Sequence, residues 1–297
     1  MGNKTVLVTG TNSGFGLATV ERFHAEGWNV VATLRKVPAT HPFAHLERVR
    51  IVQLELNAPE SISAAADAAI SHFGGVDVLI NNAGYFQMGP LESSTMEQVR
   101  AQFETNFFGL VALTKAFIPH MRERGGGSII NLSSISAENG YPFASVYSAS
   151  KAAVMVLTEA LNLELDAVGI YVKAVLPGLH ATRIFTKIDA AATLPEPYRP
   201  LLSHFLRMQR ASGGSRPEGV AEVVFRAATD GRKDQVRYFA GADATGIPLF
   251  KRLLGQAGYF RFFRRTVLNG PGPLVRRMAP RLEAKVDIDP ELLERWR

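Results

Sequence analysis

Cysteine is absent from this 297-residue chain. That excludes disulfides, thiolate metal ligands and a thiol nucleophile, and it suits the cytoplasmic location we expect. No stretch reaches ~18 uninterrupted apolar residues, so no membrane-spanning helix is expected. Met1 leads directly into a strand-like run, so no signal peptide is expected. Acidic side chains are missing from one long stretch. Residues 251–281 carry Lys251, Arg252, Arg261, Arg264, Arg265, Arg276, Arg277 and Arg281 with no Asp or Glu. Residues 1–250 balance at 22 basic and 22 acidic side chains, so the net charge of +6 belongs to the C-terminal segment. Basicity confined in this way does not predict nucleic-acid binding by the whole molecule. The rest of the composition, 46% hydrophobic and 20% charged, is that of a globular protein long enough to bury a substantial core. No metal site is expected.

What is present is a regular alternation. Short, nearly continuous apolar runs at residues 4–8, 29–34, 50–56, 76–80, 128–133, 171–176 and 236–239 read as strands. Between them lie helical periodicities: one through Leu17, Val20 and Phe23 that stops at Gly27, then 59–73, 94–120, 147–167 and 217–229. Strands buried on both faces lose the apolar/polar alternation of a half-exposed sheet. The pattern therefore predicts an α/β fold, a Rossmann-type doubly wound parallel sheet. No repeat or low-complexity linker precedes residue 250. We expect a single domain over 1–250 and a basic, aromatic-rich extension over 251–297.

Two sequence features point to chemistry. Tyr147 and Lys151 are four residues apart, which on a helix places them on one face. An ammonium beside a phenol favours the phenolate, so Lys151 is expected to lower the pKa of Tyr147 toward a useful acid/base range. The first strand-to-helix turn reads Thr9-Gly10-Thr11-Asn12-Ser13-Gly14-Phe15-Gly16. Glycines permit a tight turn and close backbone approach to a pyrophosphate, whose charge the following helix N-terminus stabilises.

These motifs, with Asn81-Asn82-Ala83-Gly84, Ser134 and Pro177-Gly178 followed by Thr182, resemble the short-chain dehydrogenase/reductases in their compact single-domain branch. The resemblance covers residues 3–245. It implies Tyr147 as general acid/base and Lys151 as its partner and a ribose ligand. Ser134 would orient the substrate oxygen, and Asn106 would hold a water of a proton relay. Ser133, its neighbour, reads instead as a strand-end hydroxyl bonded to backbone. The implied cofactor contacts are Gly10, Asn12, Ser13, Gly14, Phe15, Gly16, Arg35, Glu55, Leu56, Asn82, Ala83, Gly84, Tyr147, Lys151, Pro177, Gly178 and Thr182.

Cofactor choice turns on the end of the second strand, Ala32-Thr33-Leu34-Arg35-Lys36, where the acid that would select NAD is missing. Arg35 suits a 2′-phosphate, so NADPH is the expected cofactor, with NAD as the alternative. His180 reads as structurally accommodated. Residues 183–212 correspond to the family's variable lid. With Phe86, Tyr141 and Phe143, its Ile184, Phe185, Ile188, Leu194, Tyr198, Leu201, Leu202, Phe205, Leu206 and Met208 suggest an apolar cleft. The Ala-Thr-Leu-Arg and Ser-Gly-Phe-Gly segments look like the hydroxysteroid and retinol dehydrogenase side of the family, which implies a lipophilic carbonyl or alcohol substrate. The alternative is a non-catalytic dinucleotide-binding sensor on the same fold. Family habit implies a homodimer or homotetramer. The segment at 250–281 can lie on anionic lipid or pack on the body, and its Gly and Pro interruptions favour packing.

Overall fold

The computed structural model describes residues 3–38, 40–180, 184, 188–212, 216–269 and 296, without side chains at 207–212 and 242. Seven strands form one sheet in the order β3-β2-β1-β4-β6-β7-β9. They are β1 (Thr5–Thr9), β2 (Asn29–Leu34), β3 (Val49–Gln53), β4 (Val78–Asn81), β6 (Gly127–Leu132), β7 (Ile170–Pro177) and β9 (Arg237–Ala240). Every pairing in it is parallel, as the continuous apolar runs predict. Val6 and Val8 enter one core and Leu7 the other, the period of two that makes each strand serve two layers.

Helices α1 (Gly14–Ala25) and α7 (Pro217–Thr229) cover the first face through Val20, Phe23, Val220 and Val224. On the second face, α2 (Pro59–Phe73) and α4 (Gly109–Glu123) contribute Ile62, Ala65, Leu113, Phe117 and Met121, and α5 (Ser145–Leu165) adds Leu161 and Leu165. Strand order reverses between β1 and β4, which opens a crevice at their carboxyl ends, where such sheets bind ligands.

Helix ends follow local chemistry. Pro59 begins α2, where a missing N–H costs nothing, and Gly74 ends it at φ 76°. The helix expected over 94–120 is divided. Helix α3 (Met96–Phe103) starts on a Thr95–Gln98 capping box, and a π-helical turn at Glu104–Phe108 joins it to α4. A π turn inserts one residue without changing the apolar periodicity on either side, so the pattern conceals it.

Four further elements lie outside the expected pattern. A two-stranded parallel ladder pairs β5 (Gln87–Met88) with β8 (Asp189–Ala190). Gln98 on α3 secures it by donating to the Asp189 carboxylate at 2.7 Å and the Ala190 carbonyl at 3.0 Å. Helix α6 (Arg199–Ser212) occupies the lid region, and α8 (Ala242–Asn269) runs across the boundary expected at 250. Gly255 breaks α8 with φ 65° and ψ 165°, whereas Gly258 does not. One face of α8 is tied to the body. Lys251 donates to the Glu138 carboxylate at 2.8 Å and to its carbonyl at 2.7 Å, and Phe263 meets Tyr141 edge-on at 5.4 Å. No helix among the described residues is long and apolar enough to cross a membrane.

Candidate active site

The glycine turn is as tight as its spacing implies. A Cβ on Gly16 would lie 2.2 Å from the Gly10 carbonyl oxygen and 2.7 Å from the Asn82 amide nitrogen, so only glycine fits there. Asn82 clamps the turn, its amide donating to the carbonyls of Thr9 at 2.7 Å and Gly10 at 3.2 Å. The Thr9 hydroxyl accepts from the backbone N–H groups of Asn82 and Ala83 at 2.9 and 2.8 Å. This Thr9–Asn82 clasp joins the ends of β1 and β4. Ser13 precedes α1 without a side-chain cap, so its first N–H groups remain available at the mouth of the crevice. With Asn12 exposed, Gly14 at φ 57° and Phe15 half-buried beside them, these residues fit the pyrophosphate of a dinucleotide.

The far end of the crevice is defined by β2. Leu34 is buried, and Arg35 beyond it is 77% exposed, its Nε 4.0 Å from the Glu55 carboxylate. Glu55 lies past the end of β3, its backbone N–H donating to Ser61 at 2.9 Å. Leu56 packs into the core against Gly109, where a Cβ would come within 2.7 Å of the Leu56 Cβ.

At the other end, Tyr147 and Lys151 lie on the first turns of α5 and both are buried. Burial pushes the Tyr147 phenol up to about 12, while the Ser134 hydroxyl, its hydrogen-bond partner, pulls in the opposite direction. Burial pushes Lys151 down to about 8. The expected lowering of the phenol by Lys151 is therefore reversed. The ammonium donates to the Leu132 carbonyl at 2.7 Å and stands 5.9 Å from the Tyr147 ring centre, and desolvation dominates both groups. Ser134 begins a short 3₁₀ turn, its hydroxyl accepting from the Ser136 N–H at 3.1 Å. Ser133 donates to the Lys151 carbonyl at 2.8 Å, the backbone bond expected of it.

Asn106 sits in the π turn, fully buried. Its amide donates to the Tyr85 carbonyl at 3.0 Å and its oxygen accepts the Tyr85 N–H at 3.0 Å. A Cβ on Gly84 would meet that oxygen at 3.0 Å and the Lys151 ammonium at 3.5 Å, so Asn106, Gly84 and Lys151 converge. Beneath them, Asn81 donates to Asn131 at 2.8 Å and to Thr114 at 3.0 Å, and Asn131 donates to Thr158 at 2.9 Å. This buried polar chain fixes β4 and β6 to α4 and α5, the elements that carry the site.

Pro177 ends β7, and Gly178 continues it by donating to Ala240 at 2.8 Å. The Asp243 carboxylate accepts the Leu179 N–H at 2.6 Å. His180 is buried, bonded through Nδ1 to the Gly178 carbonyl at 3.0 Å and edge-on to Phe15 at 5.2 Å, and burial lowers its pKa. These contacts hold the ring within the fold. Thr182 and Phe185 lie outside the described residues, as do the Met208 side chain and residues 270–281.

Many of the aromatic and lid residues singled out in the sequence come together in one buried apolar cluster. Phe86 meets the Tyr147 ring edge-on at 4.8 Å, and Phe143, Leu194, Leu202 and Phe205 belong to the same buried cluster. Phe143 adopts φ 63°, a strained value for a residue with a Cβ, and its carbonyl accepts the Gly89 N–H at 2.9 Å. Sequence reasoning missed Trp296. It is buried in this cluster, with its indole N–H on the Ala191 carbonyl at 3.1 Å. No signal near it in sequence marks it, because its partners lie about a hundred residues away.

Comparison with known proteins agrees with this arrangement. The pattern of the short chain dehydrogenase family matches residues 4–193. The uncharacterized oxidoreductase YusZ of Bacillus subtilis is 33% identical over 286 residues, spanning 91% of this chain and 100% of that protein. The 3-ketodihydrosphingosine reductase of Bacteroides thetaiotaomicron is 42% identical over 173 residues, 58% of this chain and 62% of that protein. Among solved structures, a short-chain dehydrogenase from Streptomyces avermitilis superimposes with TM-score 0.76 at 33% identity, covering 89% of this chain and 99% of that one. A 3-ketoacyl-(acyl-carrier-protein) reductase from Brucella melitensis, complexed with NADH, gives 0.70 at 27% identity over 81% and 98% of the two chains. A Burkholderia cenocepacia short-chain dehydrogenase in complex with NADP gives 0.69 at 27% identity over 91% and 98%. Motif order, strand order and these likenesses converge on one assignment: the chain belongs to the short-chain dehydrogenase/reductase family and is an NAD(P)-dependent oxidoreductase.

Proposed function

We propose that this chain is an NADP(H)-dependent oxidoreductase that interconverts a carbonyl and an alcohol on a lipophilic substrate, with Tyr147 as general acid/base. The observation that carries this reading is the Tyr147–Ser134 hydroxyl pair, set beneath an apolar cluster and beside the buried Lys151. When bound, the nicotinamide supplies or accepts the hydride. In the reducing direction Ser134 holds the carbonyl oxygen and Tyr147 donates its phenolic proton to it as the carbon gains hydride. In the oxidising direction the same phenolate takes the alcohol proton. A phenol raised to about 12 stays protonated at neutral pH, the form that reduction requires. Lys151 is proposed to return a proton to Tyr147, its own proton coming back from solvent through a water held at Asn106, and to bond the nicotinamide ribose.

Arg35 at the exposed end of β2 supports NADP(H), since a guanidinium matches a 2′-phosphate and the acid that would bind the ribose diol is missing. The cluster of Phe86, Phe143, Leu202, Phe205 and Trp296 supports a lipophilic substrate, in keeping with the sphingoid ketone named for the Bacteroides relative. Exposed Phe108, Val156 and Leu163, on the π turn and α5, support homo-oligomerisation through the helices bearing Asn106 and Tyr147. The test is a screen of NADPH oxidation over steroid, retinoid, aryl and long-chain ketones. Tyr147→Phe is expected to lower turnover at least ~100-fold while leaving cofactor affinity unchanged. Retained turnover would exclude Tyr147 as the acid.

A further inference from the structure

The outward face of α8 has no partner in the described structure. Leu253 is 70% exposed, Leu249 58%, Leu254 45%, Phe250 37%, Phe260 60% and Phe262 36%. Five of the six lie close together. Leu249, Phe250, Leu253 and Leu254 occupy one side of the first helical segment by their spacing. Beyond the Gly255 break, Phe262 of the second segment stacks on Phe250, ring centres 6.0 Å apart and planes 9° from parallel. The break thus folds two short helices into one apolar surface. Its other side is occupied: Tyr259 and Val267 are buried, and Lys251 and Phe263 hold the body.

Beyond its first turn, the charge that α8 carries has one sign. Arg252, Arg261, Arg264 and Arg265 are exposed and make no ion pair with another described residue. No Asp or Glu occurs from residue 244 to residue 282. A second copy of this chain fits poorly, because a twofold contact would set this patch against itself and arginine against arginine. A surface that is apolar within and anionic at its boundary matches both properties.

We propose that α8 docks on an anionic lipid membrane, with Leu249, Phe250, Leu253 and Leu254 entering the acyl boundary and the arginines engaging the headgroups. The helices lie along the surface and do not cross it. The packing expected of this segment is retained, because the face that holds the body and the face offered to lipid are opposite ones. The proposal does not depend on the identity of the enzyme's substrate.

The test is co-sedimentation of the full chain with vesicles of phosphatidylcholine alone or mixed with phosphatidylglycerol. Binding to the mixed vesicles and little to the neutral ones is expected. Leu249→Glu with Leu253→Glu should reduce that binding at least ~10-fold. Each of Arg261→Gln and Arg265→Gln should reduce it about fivefold. All four positions are exposed, and an unchanged circular-dichroism melting curve confirms that each variant folds. Absence of vesicle binding overturns the proposal. So does binding that salt abolishes and the leucine substitutions leave unaltered, which would be charge attraction alone. A change in sedimentation velocity caused by the leucine substitutions, without vesicle binding, would assign the patch to self-association instead.

Discussion

Lys151→Met should change how stability depends on pH, by an amount the burial of the ammonium sets. In the fold Lys151 is pushed from 10.5 to about 8 by desolvation. A lowered pKa on a base means that the charged form is disfavoured in the folded state. Below about pH 8 the side chain is charged whether folded or unfolded, and the cost is fully present. Between about 8 and 10.5 the unfolded chain still binds a proton that the folded chain has released, so wild-type stability rises with pH across that window. The difference corresponds to roughly 3 kcal/mol. Methionine carries no such cost. The stability of the variant relative to wild type should therefore be about 3 kcal/mol more favourable near pH 7 than near pH 10.5. Loss of the 2.7 Å bond to Leu132 and any change in packing shift both ends of the comparison together and cancel. Tyr147 titrates in both proteins; its raised pKa gives stability that is present below 10 and lost toward about 12, and it cancels too. Urea unfolding followed by circular dichroism across this range measures the gap. Parallel pH–stability curves for the two proteins, or a gap that widens in the variant's favour with rising pH, would refute the burial argument.

Replacing Arg35 with Ala should weaken NADPH ~10- to 100-fold, the loss of one charge-assisted contact, and NADH hardly at all. Equal weakening of both, by isothermal titration, would remove Arg35 from cofactor choice. Trp296→Ala should enlarge the cleft, raising kcat/KM for bulky ketones relative to small ones, and should destabilise the fold by up to ~3–5 kcal/mol. An unchanged substrate ratio would make Trp296 a packing residue only.

Elements whose ends are written in local chemistry were predictable from sequence. Strand β2 and helices α2 and α7 occupy the ranges their patterns predict, and Pro59, Gly74 and Pro217 punctuate the two helices directly. The glycine turn and the Tyr147–Lys151 spacing were equally readable, since each places its residues by steric rule. What sequence concealed depends on distant contacts. The two-residue ladder of β5 and β8 is too short for a period, and Trp296 is placed by Ala191. The direction of the Tyr147 shift was misjudged for the same reason. Spacing gives proximity, but only the packed fold shows how little solvent either group retains.

The π turn at Glu104–Phe108 amounts to a single-residue insertion that the helix has absorbed in place. Every residue before it is rotated by about one helical position relative to every residue after it. The apolar row of Leu113, Phe117 and Met121 stays in phase with the sheet, while Asn106 is turned inward to meet Tyr85. Deleting one residue at exposed Phe108 would restore a uniform α-helix and force a choice between these two alignments. The helix holds both because its register changes once along its length, so core packing and the polar centre are satisfied by separate phases of one continuous rod.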